Sequence, residues 1–175
     1  MELATTATTA AVALLGVVLG GWLTARNQDR TWRREHASQW RDIRLSAYSD
    51  FVSAYRQFVA FAMEPGAKIT AKPNPRNASK ILPFFDEQGR PYKERLEAAA
   101  VRVLVVSESS DTMRTSNDVV EGVRRIAAAR ATHSETDVPD DVFASFFSAQ
   151  TAFLSAVRRD LDLPEASWET IFRND

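Results

Sequence analysis

The chain has 175 residues, 45% hydrophobic and 26% charged, with a formal net charge of −1. That balance is ordinary for a globular protein and allows one domain beside an anchor, with a core that needs no covalent staple. Cysteine is absent, which excludes disulfides, zinc knuckles, iron–sulfur ligation and thiol nucleophiles, and fits a reducing compartment.

The N-terminal stretch Leu3–Ala25 holds 23 residues without a charge. As a helix it reaches roughly 34 Å, enough for a hydrocarbon core of about 30 Å. Val12, Leu14, Leu15, Val17, Val18, Leu19, Trp22 and Leu23 supply the apolar part. Thr5, Thr6, Thr8 and Thr9 dilute the first half, although their hydroxyls can bond back to the preceding turn. A secretory signal peptide should open with positive charge, whereas here only Glu2 precedes the apolar run. The alternatives are a signal peptide and a buried core helix. Against both stand Arg26, Arg30, Arg33 and Arg34, which follow the run directly and predict a cytoplasmic C-terminal side by the positive-inside rule. The expected division is a transmembrane anchor over 1–25 and a cytoplasmic helical bundle over 26–175, with a loop near 64–78.

Gly16 and Gly20 form a GxxxG pair within a stripe of small residues, so association of two anchors, as in a homodimer, is expected through them. The four flanking arginines are candidates for binding anionic lipid head groups, since they lie within about 14 Å of the end of the span. The alternative is plain stop-transfer charge with local pairing to Asp29 and Asp42.

Charge is unevenly spread beyond the anchor. Residues 26–63 carry seven Arg against four acids, and residues 135–175 carry three Arg against nine acids. No proline precedes Met63 and no glycine lies between Gly21 and Met63, so the anchor is expected to continue unbroken into a long helix. Its apolar seam is Trp32, His36, Trp40, Ile43, Ala47, Phe51, Ala54, Phe58 and Phe61, at steps of three and four. Arg41 and Arg44 extend the arginine stripe on the neighbouring face.

Glu64–Asn77, with three prolines and a glycine, reads as a loop, and Lys80–Phe85 as a short helical turn. Pro91 suits the start of the next helix, whose face is Leu96, Ala99, Ala100, Val103, Leu104 and Val106. Val101–Val106 also fits a strand, but a lone strand has no partner, so helix is preferred. Ser109–Asp111 marks a kink or a new cap, after which Met113, Val119, Val120, Val123, Ile126 and Ala127 continue helical spacing. His133–Asp137 is turn-like. Pro139, Asp140 and Asp141 open the last helix, whose face runs from Val142 to Leu161, and Arg158 and Arg159 suit its negative end. Leu163-Pro164 stops it. On the tail, Trp168, Ile171 and Phe172 can fold back as an apolar lid or, as exposed aromatics, Trp168 and Phe172 can meet a partner. The fold class expected is therefore all-α: a single transmembrane helix running into an antiparallel bundle of about four helices.

The segments Trp32-Arg33-Arg34-Glu35, Ala47-Tyr48-Ser49-Asp50-Phe51, Leu96–Val103 and Phe153–Arg159 resemble a broad set of uncharacterised actinobacterial membrane-anchored helical proteins. The resemblance covers most of the chain. It implies the same architecture and carries over no activity and no functional residues.

Three of six glycines lie in the anchor, and Gly66, Gly89 and Gly122 are far apart, so no P-loop or dinucleotide fingerprint exists. The two histidines, His36 and His133, have no ligand at zinc spacing, and His36 reads as a packed or interfacial histidine on the seam. Asp140 with Asp141 reads as a helix cap, and Asp160 with Asp162 as a solvated end, rather than as metal ligands. No catalytic, cofactor or metal residues are therefore assigned. The short basic face beside the membrane, balanced by acids elsewhere, argues against nucleic acid. The function expected is that of a non-enzymatic interaction or regulatory protein, acting on a protein partner at the cytoplasmic face. The alternative is a membrane-active oligomer, such as a small pore or exclusion factor, assembled through the anchor.

Overall fold

The computed structural model describes His36, residues 38–133 and residues 137–164, without the side chains of Ala78 and Ser79. Two compact units divide the chain at Asp42/Ile43. In the first, the described residues are helical, and Trp40 Nε1 donates to His36 Nε2 at 3.3 Å. Both side chains are exposed, so the described residues do not bury the histidine that the seam predicts to be packed or interfacial.

The second unit, Ile43–Asp175, holds four helices and one β-hairpin among its described residues. Helix α1 covers 43–62, followed by strands β1 (Ile69–Asn74) and β2 (Asn77–Phe85). Helices α2 (Arg90–Val106), α3 (Ser110–Thr132) and α4 (Asp140–Asp160) complete it. The sequence predicts helix where α1 to α4 lie. The hairpin corrects both the loop expected over Glu64–Asn77 and the helical turn expected over Lys80–Phe85.

Local signals mark the starts of α2, α3 and α4. Pro91 sits in the first turn of α2, where a missing N–H removes no helical bond. Just before it, Asp86 Oδ1 accepts from the N–H groups of Gln88 at 3.1 Å and Gly89 at 3.0 Å. At the start of α3 the Ser109 hydroxyl accepts from Thr112 N, at 3.3 Å. Asp140 and Asp141 lie in the first turn of α4, and Arg158 and Arg159 in its last, each matching the sign of the helix dipole.

Polar pairs fix the helix order. Arg102 bridges to Asp50 at 2.5 Å and Arg95 donates to Gln57, so α1 and α2 run antiparallel. Arg124 meets Glu97 at 3.4 Å between α2 and α3, and Arg159 meets Asp111 at 2.5 Å between α4 and α3. On the far side Tyr48 and Phe51 pack on Phe153 while Tyr55 packs on Phe146, so α1 and α4 are antiparallel as well. The result is an up-down-up-down bundle.

The core is a run of aromatic rings from α1 and α4 set against aliphatic residues of α3. Phe51, Tyr55, Phe58 and Phe153 are fully buried with Val119, Val123 and Ile126. Gly122 lets α3 approach α4 closely, because a Cβ there would stand 3.2 Å from the Phe146 ring and 3.4 Å from Phe146 Cα. Of the predicted seam, Ala47, Phe51, Ala54, Phe58 and Phe61 are buried, whereas Trp40 and Ile43 are exposed.

The hairpin pairs Ile69 with Phe85 and Ala71 with Pro83, and its register shifts between Pro73 and Asn74. Asn74 Oδ1 accepts from Arg76 N at 2.9 Å across the turn. Two strands alone are barely stable in water, so packing must hold them. Both strands contact α3, and Phe85 enters the rings of Phe58 and Phe61 at centroid distances of 5.1 and 6.2 Å. Phe61 in turn stacks on Tyr92 of α2 at 4.8 Å.

Candidate binding groove

Helices α1 and α4 line a groove of about 550 Å³ on their outer side. Its floor is Phe153, Val157 and Leu161, all buried, and its walls are the half-buried Val52 and Leu154. Ser49, Ser53 and Arg56 form an exposed rim on α1, and Arg158 stands on α4. Leu45 and Leu163 flank one end with large apolar surface in solvent, 50% and 36% exposed. The residues follow from helical periodicity. Leu45, Ser49, Val52, Ser53 and Arg56 fall at steps of three and four, beside the buried row of α1 rather than on it.

A polar cluster fastens the Leu45 end of the groove. Tyr48 Oη donates to Asp160 Oδ2, and Ser107 Oγ donates to the same oxygen at 3.4 Å. Arg44 Nη1 lies 3.8 Å from Asp160 Oδ1 and 3.4 Å from the Asp160 carbonyl oxygen. It also lies 3.8 Å from Glu108 Oε2. The carboxylate of Asp160 is only 5% exposed. Burial first, and the bond to Asp160 second, push the Tyr48 phenol well above the ordinary tyrosine range. It therefore stays a hydrogen-bond donor at any physiological pH. Burial likewise raises Tyr55. Outside the groove, hydrogen bonds from Arg114 and Arg159 hold the Asp111 carboxyl below the usual carboxylate range.

This cluster ties the start of α1, the α2–α3 corner and the end of α4 together.

Two readings of the sequence are corrected here. Asp160 is a buried acceptor rather than part of a solvated end. Arg44 does not belong to an open arginine stripe: its side chain is 15% exposed and paired across the bundle. No local signal marks either residue, because their partners lie far away in the chain. The remaining sequence candidates fall outside the described residues: Gly16 and Gly20, Arg26, Arg30, Arg33 and Arg34, and Trp168 and Phe172. The segment Leu3–Ala25 falls outside as well. Among the described residues no helix is long and apolar enough to cross a membrane, and no three His, Asp or Glu side chains cluster as metal ligands would.

The α4 helix ends where the groove does. Leu163 N donates to Arg158 O at 2.8 Å and Asp162 N to Arg159 O at 3.1 Å, with Asp162 left-handed at φ 53°. This is a Schellman turn, and it presents Leu163 to the groove. A further apolar strip lies on the outer face of α2, where Val101, Leu104 and Val105 are exposed. No family model, curated protein or solved structure matches the chain.

Proposed function

We propose that this protein is a non-catalytic, membrane-anchored interaction or regulatory module. Its bundle docks an amphipathic segment of a protein partner at the cytoplasmic face. The observation that supports this is the α1/α4 groove: an apolar floor and walls, a polar rim, and two arginines above them. A helix with anchors at i, i+3, i+4 and i+7 recognises such a surface through its apolar face. The anchor over 1–25, oriented by Arg26, Arg30, Arg33 and Arg34 and paired through Gly16 and Gly20, would hold the groove beside the bilayer. Lipid would be the second partner.

The test places a photo-crosslinking amino acid at Ser53 of the full chain in cells, with Arg125 on the exposed face of α3 as the control position. A discrete adduct at Ser53 that is absent at Arg125 and lost with Val52→Arg is the expected result. Equal adducts at both positions, or none, would refute the reading. Dye leakage from vesicles carrying the intact chain, with no adduct, points instead to the membrane-active oligomer.

A further inference from the structure

We infer that the partner segment recognised by the α1/α4 groove is an acidic amphipathic helix, with carboxylates at i and i+7 flanking apolar side chains at i+3 and i+4. The inference rests on the reading of the groove as a docking site and names the chemistry of its occupant. Its first support is the sign of the lining. The charged residues that line the groove are Arg56 and Arg158, and no aspartate or glutamate lines it. The carboxylate at the Leu45 end, Asp160, is already held by Tyr48, Ser107 and Arg44.

Elsewhere on the bundle arginines meet carboxylates. Arg102 pairs with Asp50, Arg114 with Asp118, Arg124 with Glu97 and Arg159 with Asp111. Arg56 and Arg158 pair with no carboxylate among the described residues. Arg56 stands beside the Tyr55 phenol, and Arg158 Nε donates to the Pro164 carbonyl oxygen at 2.7 Å. Both neighbours are neutral, so two positive charges stand uncompensated over an apolar surface.

Spacing is the second support. Asp160 meets Tyr48 and the two helices are antiparallel, so Arg158 stands near the level of Tyr48, while Arg56 lies eight residues farther along α1. The two cations are thus on the order of 12 Å apart along the groove, about two helical turns. Between them lie the walls, Val52 and Leu154, and the floor, Phe153 and Val157. A helix laid lengthwise presents i, i+3, i+4 and i+7 on one face. Its central apolar pair covers the walls and floor, and its outer carboxylates, about 10.5 Å apart along the axis, reach the arginines. Apolar burial supplies the affinity, and the arginines supply sign, register and encounter rate. A helix with lysine at the outer positions would bring like charges together there.

Two synthetic peptides test this, identical in length and in their central leucine pair, with either glutamate or lysine at the two outer positions. Each is titrated onto the full chain in detergent micelles with the photo-crosslinking amino acid at Ser53, and the adduct is identified by its mass. Exchanging two exposed attractions for two repulsions is expected to favour the glutamate peptide about tenfold at low salt. Screening at about 0.5 M salt should shrink that preference to roughly twofold. Arg56 is exposed, so replacing it leaves the core intact. Arg56→Glu leaves one cation and one anion at the groove, and the preference is expected to vanish; Arg56→Lys keeps it. Equal labelling by the two peptides, a preference for lysine, or a glutamate preference that survives Arg56→Glu overturns the inference and leaves the docking function intact. No peptide adduct beside a persistent cellular adduct at Ser53 also overturns the acidic pattern alone. No adduct of either kind, or equal peptide labelling with the crosslinker at Arg125, refutes the docking function itself.

Discussion

The Tyr48–Asp160 bond offers the sharpest check on how the bundle is closed. Tyr48→Phe keeps the ring that packs edge-on against Phe153 at 6.3 Å and removes only the hydroxyl. Asp160 then retains Ser107 at 3.4 Å and Arg44 at 3.8 Å but loses its shortest donor while remaining buried. A hydrogen bond to a charged group contributes about 1.5–3 kcal/mol. For a domain of this size that corresponds to a melting temperature lower by roughly 5–10 °C. Thermal unfolding of the full chain in detergent micelles, followed by near-UV circular dichroism at pH 7, measures it. The pH dependence supplies a second readout. Tyr48 ionises near its ordinary value of 10.0 once unfolded but well above that when folded. Its contribution is complete below pH 10 and declines as pH rises beyond it, by about 1.4 kcal/mol per unit. The gap between wild type and Tyr48→Phe should therefore narrow above pH 10. An unchanged melting temperature at pH 7, or a gap that stays constant to pH 11, refutes the reasoning.

Gly89→Ala puts a Cβ 2.7 Å from the Phe61 ring and 2.8 Å from Phe85 Cβ, so urea unfolding should show a loss of about 1–3 kcal/mol. Asp162→Gly should act in the opposite sense, relieving a left-handed residue at an exposed helix end and raising stability by about 1 kcal/mol in the same assay. Replacing the cap with Ser109→Ala should destabilise by about 1 kcal/mol, measurable as faster amide exchange at Thr112 and a lower midpoint. Asp111 has a lowered folded pKa, so its contribution holds above its unfolded value of 3.8 and is lost as pH falls through the folded value. An acid titration of Asp111→Asn should accordingly be flatter than wild type below pH 4, and superimposable curves would contradict the Arg114–Asp111–Arg159 bridge.

The helices were legible because each repeats its apolar residues at the helical period and carries its own punctuation. Pro91, Ser109 and Pro139 with its two aspartates mark starts that need no tertiary information, and Leu163-Pro164 marks a stop. The hairpin was not legible, since β1 contains Pro73 and β2 contains Pro83, residues that break a central strand. In a two-stranded sheet each strand has a free edge, which removes that objection. What secures the strands is Phe85 among the rings of α1, a contact between residues more than twenty positions apart.

The candidate site divides the same way. Apolar spacing by itself determined that α1 and α4 each have a buried face, and composition alone excluded thiol chemistry and glycine-rich phosphate loops. Which flanks of those faces stay open depends on how the two helices pack. That packing is set by Phe51 and Tyr48 against Phe153 at one level and by Tyr55 against Phe146 at another. The polar latch was hidden for the same reason. Arg44 looks like one more basic residue on a basic stretch, and Asp160 like one more acid at an acidic end. Only the antiparallel closure of the bundle brings them 3.8 Å apart, where their side chains are 15% and 5% exposed and water competes less for either charge.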